Sequence, residues 1–327
     1  MSTRALVTGG TGFLGRRIVE NLLAAGVEVR VLARPHRDTG SLELSGVDIR
    51  RGDLSDRDGL AAAVEGCDVV FHAGARVETS GAWEEFHRTN VVATQKLIDV
   101  SFDNGVRHFV HVSSLGIFDI PEGVGEIVED SDYDHLPFLR GNYTRSKIHA
   151  DRLACAALRT GRPVTVVRPG VLYGAGRPLY LGRVGRFIGR RLLVVAGSPG
   201  YKVPLCYVGN AADAIVRAGL DPGVRGKMIN VVDDPDLDHR SYFRALARAR
   251  GVRLVVVYVP VWMLRPALTV ADKIFRVLRR RPWAVAYQLL RSGRSVRYRT
   301  DAAREELGWE PVASLEESLR MALDGSP

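Results

Sequence analysis

Cysteines and long apolar runs are both scarce in this sequence. Its 327 residues include three cysteines, Cys67, Cys155 and Cys206, which lie far apart and in no metal-ligand spacing. So few cysteines exclude a disulfide framework and fit a reducing compartment. No apolar run reaches the roughly 20 residues that a membrane-spanning helix needs. Because the sequence also opens without a signal-peptide pattern, we expect a cytoplasmic protein.

Acidic residues are outnumbered, with 37 Asp and Glu against 46 Lys and Arg, which gives a net charge of +9. Such a balance can indicate nucleic-acid binding. Here the arginines are spread along the chain and accompany no helix-turn-helix, zinc or RNA-recognition pattern, so we expect no nucleic-acid partner. Acidic residues do cluster between Glu126 and Asp134. A metal site would need ligands that converge from a defined loop, and we therefore expect a solvated loop and no metal.

Short apolar strands alternate with amphipathic helices through the first half of the chain. Strands are predicted at 4–8, 27–33, 47–51, 68–72, 108–113 and 163–168, and long helices at 84–104 and 143–160. This order favours an α/β fold with a doubly wound parallel sheet of the Rossmann type. We predict a dinucleotide-binding domain over 1–174, with a strand and a helix returning near 203–232. A smaller α/β region over 175–327 would mainly bind substrate.

A glycine-rich loop follows the first predicted strand and opens a helix. Glycines in that context permit a tight turn, a close approach of the backbone to a pyrophosphate, and close helix packing. The pyrophosphate would then sit at the helix N-terminus. The sequence therefore predicts a dinucleotide site formed by Gly9, Thr11, Gly12, Phe13, Leu14 and Gly15.

The end of the second strand indicates which dinucleotide binds. An acid at this place would hold a ribose 2′-hydroxyl, whereas an arginine accommodates a 2′-phosphate. The chain has Ala33 followed by Arg34, which favours NADP(H), with NAD(H) as the alternative. Asp53, after the third strand, is placed to reach the adenine edge.

Tyr143 and Lys147 stand four apart in a predicted helix and would share one of its faces. A lysine ammonium beside a phenol favours the phenolate and lowers its pKa from the usual value of about 10. Such a phenol can donate a proton to a carbonyl or take one from an alcohol. The spacing alone more often marks a solvated pair, so its meaning depends on the other motifs.

Taken in order, these motifs resemble the extended short-chain dehydrogenase/reductase superfamily, which has the NAD-dependent epimerase/dehydratase fold. The matching segments are Thr8-Gly-Gly-Thr-Gly-Phe-Leu-Gly15, Gly52-Asp-Leu54, His72-Ala-Gly-Ala75, Asn90-Val-Val-Ala-Thr94, Val112-Ser-Ser114, Tyr143-x-x-x-Lys147, Arg168-Pro-Gly-Val-Leu-Tyr-Gly174 and Leu307-Gly-Trp-Glu-Pro311. Within the superfamily, the chain looks most like the 3β-hydroxysteroid dehydrogenase and ketoreductase branch.

The resemblance implies a catalytic site of Ser114, Tyr143 and Lys147. Tyr143 would move the proton, Ser114 would bind the substrate oxygen, and Lys147 would hold the nicotinamide ribose. Asn90 would support the site from the long helix, with an ordinary surface asparagine as the alternative. Further cofactor contacts are implied for Leu54, Ala73, Gly74, Ala75, Pro169 and Val171. The resemblance also implies a homodimer.

Sugar-nucleotide dehydratases of this superfamily need an acid near the serine, and the segment from Ser113 to Ile117 has none. We therefore predict hydride transfer between a nicotinamide and a carbonyl or hydroxyl of a small-molecule substrate. That substrate would be bulky and apolar, such as a steroid, a terpenoid or an acyl compound. A nucleotide-sugar epimerase or reductase is the alternative, and a non-catalytic cofactor-sensing protein is a third interpretation.

Two segments of the second half have unusual compositions. Glycine and arginine are frequent between Gly176 and Gly200, where we predict a mobile flap over the substrate. Residues 260–283 are apolar and basic. This second segment would cap the small domain, line an apolar pocket, or lie as a peripheral contact on an anionic membrane surface, and the sequence leaves these interpretations open.

Overall fold

The computed structural model describes residues 3–78, 80–120, 125–177, 179, 185–189, 191–260, 262–263 and 294–325. A parallel sheet of seven strands forms its centre. These strands are β1 (Arg4–Thr8), β2 (Glu28–Ala33), β3 (Asp48–Arg51), β4 (Val69–His72), β5 (His108–Val112), β7 (Val164–Pro169) and β12 (Met228–Val231). Their order across the sheet is β12-β7-β5-β4-β1-β2-β3. Every residue of β4, β5 and β7 is buried, as expected of parallel strands covered on both faces.

Helices cover both faces of this sheet. One face carries α1 (Phe13–Ala24), α7 (Val208–Leu220) and α9 (Asp301–Leu307). The other face carries α3 (Arg57–Val64), α5 (Ala93–Asp103) and α6 (Asn142–Arg159). Short helices α2 (Gly40–Glu43) and α4 (Trp83–Phe86) lie in the connections. The predicted doubly wound α/β fold is confirmed.

The single long helix predicted over 84–104 is wrong in one respect. A π-helical turn, His87–Val92, separates α4 from α5. A π turn places one more residue in the turn than an α-helix does, and such turns are frequent at functional sites. Asn90 lies inside this one.

Among the described residues, a smaller region contains three minor sheets and two helices. Its strands are β6 (Gly125–Ile127) with β14 (Val296–Tyr298), β8 (Val171–Tyr173) with β11 (Leu205–Tyr207), and β9 (Gly185–Ile188), β10 (Leu192–Ala196) and β13 (Val255–Val259). Its helices are α8 (His239–Ala249) and α10 (Leu315–Asp324). The chain crosses between the two parts more than once, because α7 and β12, within 203–232, return to the main sheet.

The mobile flap predicted between Gly176 and Gly200 is wrong for residues 185–196, where the chain forms β9 and β10. These strands are antiparallel, and Gly189 lies in the turn between them with a φ of 65°. Leu193 and Val195 are fully buried under this small sheet. The burial of alternate apolar side chains therefore orders a segment whose composition resembles that of a loop.

Polar contacts join the C-terminal residues to the rest of the fold. Asn210, on α7, donates from Nδ2 to the carbonyl of Ala313 at 3.0 Å and accepts from its N–H at 2.9 Å. The hydroxyls of Tyr173 and Ser318 form a further hydrogen bond. Asp233 accepts from Asn210 at 2.9 Å, and burial raises the pKa of this carboxyl to about 6. None of these residues is among the predicted catalytic or cofactor-binding residues, so we interpret the contacts as structural.

Most of the apolar, basic segment 260–283 lies outside the described residues. Trp262 and Met263 are described and are exposed. Among the described residues, no helix combines the length and the apolar character that crossing a membrane would require.

Candidate active site

The glycine loop after β1 meets the loop after β4 at the carboxyl edge of the sheet. Gly9 has a φ of 76°, and a Cβ on it would lie 2.7 Å from the backbone of Gly74. A Cβ on Gly15 would lie 2.0 Å from the carbonyl oxygen of Gly9. Any side chain at Gly9 or Gly15 would therefore force these segments apart. We call the backbone from Gly9 to Gly15, together with Gly74, the glycine cradle; it has the open backbone that a pyrophosphate needs.

The N-terminus of α1 opens onto this cradle. Gly12 precedes the helix, and its N–H donates to the Gly9 carbonyl at 2.8 Å. No described side chain caps this terminus, and the first turn carries no acid. The unpaired N–H groups and the positive end of the helix dipole thus fit a phosphate. Thr11 and Phe13 lie on either side of Gly12, and Leu14 packs against the core.

The other predicted cofactor contacts border the same edge. Leu54 Cδ1 would lie 3.4 Å from a Cβ on Gly74, and the N–H of Ala73 donates to the Thr8 carbonyl at 3.2 Å. Ala75 follows and is partly buried. Across the sheet, Pro169 ends β7 and Val171 begins β8. The structure thus brings both groups of residues to the carboxyl ends of the strands, and their cofactor contacts stay a prediction.

Arg34 is exposed directly after β2, near the Asp53 carboxylate. Two hydrogen bonds from Ser55 lower the pKa of Asp53, and the charges of Arg34 and Arg88 lower it further. Arg88, on the π turn, is a basic neighbour that sequence analysis missed. Its position two residues before Asn90 carries no signal that could have identified it.

Lys147 is held beneath the site by the end of β5. Its ammonium is buried and donates to the carbonyl of Val112 at 2.6 Å. Burial lowers the pKa of Lys147 to about 8, and the charge of Asp151 opposes this shift. The amine therefore remains mostly protonated near neutral pH. Tyr143 lies one turn earlier on α6, is partly buried, and precedes Lys147 on the same face.

Ser114 lies two residues beyond that carbonyl, at the start of a short 3₁₀ turn, Leu115–Ile117. Its hydroxyl oxygen accepts from the N–H of Gly116 at 3.1 Å. Because this bond uses a lone pair, the hydroxyl proton remains available for a substrate oxygen. Ser113, in contrast, is buried beneath the site.

Asn90 joins α6 to the loop after β4. Its Oδ1 accepts from the N–H of Arg76 at 2.7 Å, and its Nδ2 donates to the carbonyl of Arg76 at 3.0 Å. The same Nδ2 donates to Ser146 Oγ, on α6, at 2.9 Å. Asn90 is 2% exposed, so the alternative of an ordinary surface asparagine is wrong.

A buried histidine fixes the two loops that meet at the glycine cradle. Thr94 donates to the carbonyl of Asn90 at 2.7 Å, so it must accept from His72 Nε2 at 2.9 Å. His72 Nδ1 is then an acceptor and receives the hydroxyl proton of Thr8 at 2.7 Å. Thr8 Oγ1 in turn accepts from the N–H of Gly74 at 3.2 Å. Burial lowers the pKa of His72 to about 3, which agrees with this neutral tautomer.

A buried ion pair lies one turn beyond Lys147. Arg168, on β7, binds Asp151 through Nε at 3.0 Å and Nη2 at 2.7 Å, and both side chains are buried. The hydroxyl of Tyr133 donates to the same carboxylate at 2.8 Å. Burial alone would raise the pKa of Asp151, but Arg168 outweighs it and lowers that pKa to about 2. The pair fixes α6 against the sheet.

The acidic residues before α6 form ion pairs. Ligand atoms of Asp119, Asp134 and His135 lie within 4.8 Å of one another. However, His135 Nδ1 bonds Asp119 at 2.7 Å, and Arg140 donates to Asp134 at 2.8 Å. These contacts occupy oxygens that a cation would need, and the expectation of no metal stays a prediction.

Comparisons with known proteins agree on the family. Residues 5–231 match the model of the NAD dependent epimerase/dehydratase family. A ketoreductase of Stigmatella aurantiaca for 4-hydroxy-2-methyl-3-oxo-4-farnesyl-3,4-dihydroquinoline-1-oxide is 27% identical, over 99% of this chain and 97% of that protein. A 2-alkyl-3-oxoalkanoate reductase of Stenotrophomonas maltophilia is 27% identical, over 97% of both chains. The decarboxylating sterol-4-alpha-carboxylate 3-dehydrogenase of Dictyostelium discoideum is 26% identical, over 93% of this chain and 94% of the relative.

Solved structures share the fold. The crystal structure of gox2253 has a TM-score of 0.82 at 23% identity, over 99% of this chain and 98% of the other. MoeE5 in complex with UDP-glucose and NAD has a TM-score of 0.70 at 22% identity, over 98% of each chain. With the matched family model, the glycine cradle and the Tyr143 helix, these likenesses lead to one assignment. The chain belongs to the NAD-dependent epimerase/dehydratase family and is an enzyme of the extended short-chain dehydrogenase/reductase type.

Proposed function

We propose that this enzyme is an NADPH-preferring ketoreductase or hydroxy-dehydrogenase that acts on a bulky, fairly apolar substrate. One observation carries the proposal. Lys147 and Tyr143 share a face of α6, and Lys147 bonds the carbonyl of Val112, two residues before Ser114. This geometry supports a site in which a proton donor, a hydroxyl and an ammonium act together.

In this proposal, the bound nicotinamide supplies or accepts the hydride at the substrate carbon. Tyr143 donates the proton that converts the carbonyl oxygen into a hydroxyl, or accepts it in the reverse direction. Ser114 donates a hydrogen bond that orients this oxygen and stabilises its developing charge. Lys147, fixed by the Val112 carbonyl, would direct its remaining N–H groups toward the ribose and the Tyr143 phenol.

The named substrates of the relatives support this class. All three relatives act on a ketone or its alcohol within a largely apolar compound. In two of those names, a carboxylate is attached to the carbon next to the one that is oxidised or reduced. In addition, Leu115 and Gly116 offer no acid for the elimination of water.

An activity panel tests the proposal. We expect NADPH oxidation with apolar ketones, including 2-alkyl-3-oxo acids and cyclic terpenoid ketones, and no thermal shift with UDP-glucose. The alternative, a nucleotide-sugar enzyme, is suggested by the likeness to solved structures such as MoeE5 in complex with UDP-glucose and NAD. It predicts the opposite pattern, because a ligand that binds only the folded state must raise its melting temperature. Binding of NADPH without turnover on any ketone would indicate a cofactor sensor.

Arg34 should decide the cofactor preference. If its guanidinium binds a 2′-phosphate, Arg34→Ala removes a charge-assisted hydrogen bond, which is worth about 1.5–3 kcal/mol. We expect the Kd for NADPH to rise roughly 10- to 100-fold and the Kd for NADH to stay within about 2-fold. Fluorescence titration would measure both constants, with Arg159→Ala, on the exposed far end of α6, as the control. Equal weakening of both cofactors would contradict the assigned role.

A further inference from the structure

Arg140 lies close to Ser114, although nothing in the sequence singled it out. It ends a 3₁₀ turn, Pro137–Arg140, three residues before Tyr143, and its side chain is 13% exposed. A Cβ built on Gly116 would lie 3.3 Å from Ser114 Oγ and 4.0 Å from Arg140 Nη2. The hydroxyl and the guanidinium therefore border the same small space above Gly116.

That space is otherwise open. Apart from the chain neighbours of Gly116 and the backbone of its own helical turn, no other described heavy atom lies within 4 Å of the built Cβ. Gly116 also lacks the positive φ that would require glycine for the backbone. The missing side chain at this position therefore leaves room for a ligand group between Ser114 and Arg140.

The guanidinium of Arg140 is held in place through one of its two terminal nitrogens, Nη1. Nη1 donates to Asp134 at 2.8 Å, and Asp134 is buried. The N–H of Asp134 donates to the carbonyl of Ile117 at 2.8 Å, which joins this pair to the turn that Ser114 starts. Among the described residues, Arg140 Nη2 makes no hydrogen bond, so it can bind a ligand oxygen. A planar, fixed guanidinium is well suited to a carboxylate.

We propose that Arg140 binds a carboxylate on the carbon next to the reacting carbon, so that the substrate is a 3-oxo or 3-hydroxy acid. This inference rests on the proposed function. Ser114 would hold the carbonyl or hydroxyl oxygen, and an adjacent carboxylate would lie beside it, over Gly116. Because Ser114 Oγ and Arg140 Nη2 both lie within 4.0 Å of the Cβ built on Gly116, an acid group close to the reacting carbon fits this space best. The apolar remainder of the substrate would extend away from Ser114 and Arg140.

A matched pair of substrates tests the proposal with the full-length enzyme. The substrates are a long-chain 2-alkyl-3-hydroxy acid, which is chemically stable, and its methyl ester, and the readout is NADPH formation from NADP⁺. We expect the wild type to prefer the acid. Arg140→Gln should reduce kcat/KM for the acid about 10- to 100-fold, mainly through KM, because a hydrogen bond to a charged group is lost. Its kcat/KM for the ester should change by less than about 3-fold, and Arg140→Lys should recover part of the loss.

A second variant and a binding measurement make the result independent of turnover. Gly116→Asp would place a carboxylate of the protein in the proposed anion space, and it should abolish calorimetric binding of the acid to the enzyme–NADP⁺ complex. Arg140→Gln should also abolish this binding. Because Arg140 pairs with buried Asp134, binding is compared at a temperature at which circular dichroism shows the wild type and both variants to be folded. If Arg140→Gln reduced activity on acid and ester equally, or left acid binding intact, the proposal would be wrong. If the acid bound in an Arg140-dependent way without being oxidised, only the proposed function would fail.

Discussion

Replacing Tyr143 by phenylalanine should reduce turnover by about 100- to 10,000-fold, which is the typical contribution of positioned proton transfer. The substitution removes only the hydroxyl, so the ring keeps its place on α6. Lys147 keeps its bond to the Val112 carbonyl, and the glycine cradle is untouched. We therefore expect the affinity for NADPH to change by less than about 3-fold.

Steady-state kinetics with an accepted ketone and fluorescence titration of NADPH would measure these two effects. Tyr258→Phe is the matched control, since Tyr258 lies on β13 in a different sheet. It should keep near-wild-type turnover. A Tyr143→Phe enzyme with more than about a tenth of the wild-type kcat would contradict the assigned proton transfer.

The second large effect concerns stability. Asp151→Asn should lower the free energy of unfolding by about 3–5 kcal/mol, because it leaves the buried guanidinium of Arg168 without its counter-charge. The amide also loses one acceptor oxygen, although Arg168 and Tyr133 both donate to this side chain in the wild type. Urea denaturation would measure the difference. Asp130→Asn, the same substitution at an exposed position, should stay within about 0.5 kcal/mol of the wild type.

This difference should depend on pH in a defined way. The pKa of Asp151 is lowered to about 2 in the folded protein, below the value of about 3.9 for an unfolded aspartate. Its stabilising contribution is therefore complete above the unfolded pKa and is lost only as the pH falls toward 2. We expect a constant gap between wild type and variant from about pH 5 to about pH 8. A gap that closes within this range would show that another group carries the effect.

Local patterns were sufficient to predict the main sheet and the glycine cradle. The apolar runs of β1, β4 and β5 and the spacing of Gly9 and Gly15 reflect constraints between residues close in sequence. Asn90 could not be placed in the same way. Its inward direction depends on a π turn, which forms because the helix packs against both α6 and the loop at Arg76.

The features that sequence analysis predicted wrongly or missed depend on contacts between distant segments. Within 185–196, β10 pairs with β13, about sixty residues later in the chain, and β9 pairs with β10. No local signal in the glycine- and arginine-rich stretch indicates β13 as a partner. Arg140 approaches Ser114 because Asp134 bonds both Arg140 and the turn at Ile117. Its residue type and spacing would be equally compatible with a solvated arginine.

The contacts of Asn210 with Ala313 and of Tyr173 with Ser318 have a consequence for biosynthesis. Ala313 and Ser318 follow their partners by 103 and 145 residues and are therefore synthesised later. Until they emerge from the ribosome, the nascent chain can assemble the seven-stranded sheet but not these two contacts. Proteolysis that removed the residues from Ala313 onward would leave the buried amide of Asn210 short of partners. We therefore expect α7 to be less stable in a chain that lacks residues 313–325 than in one that contains them.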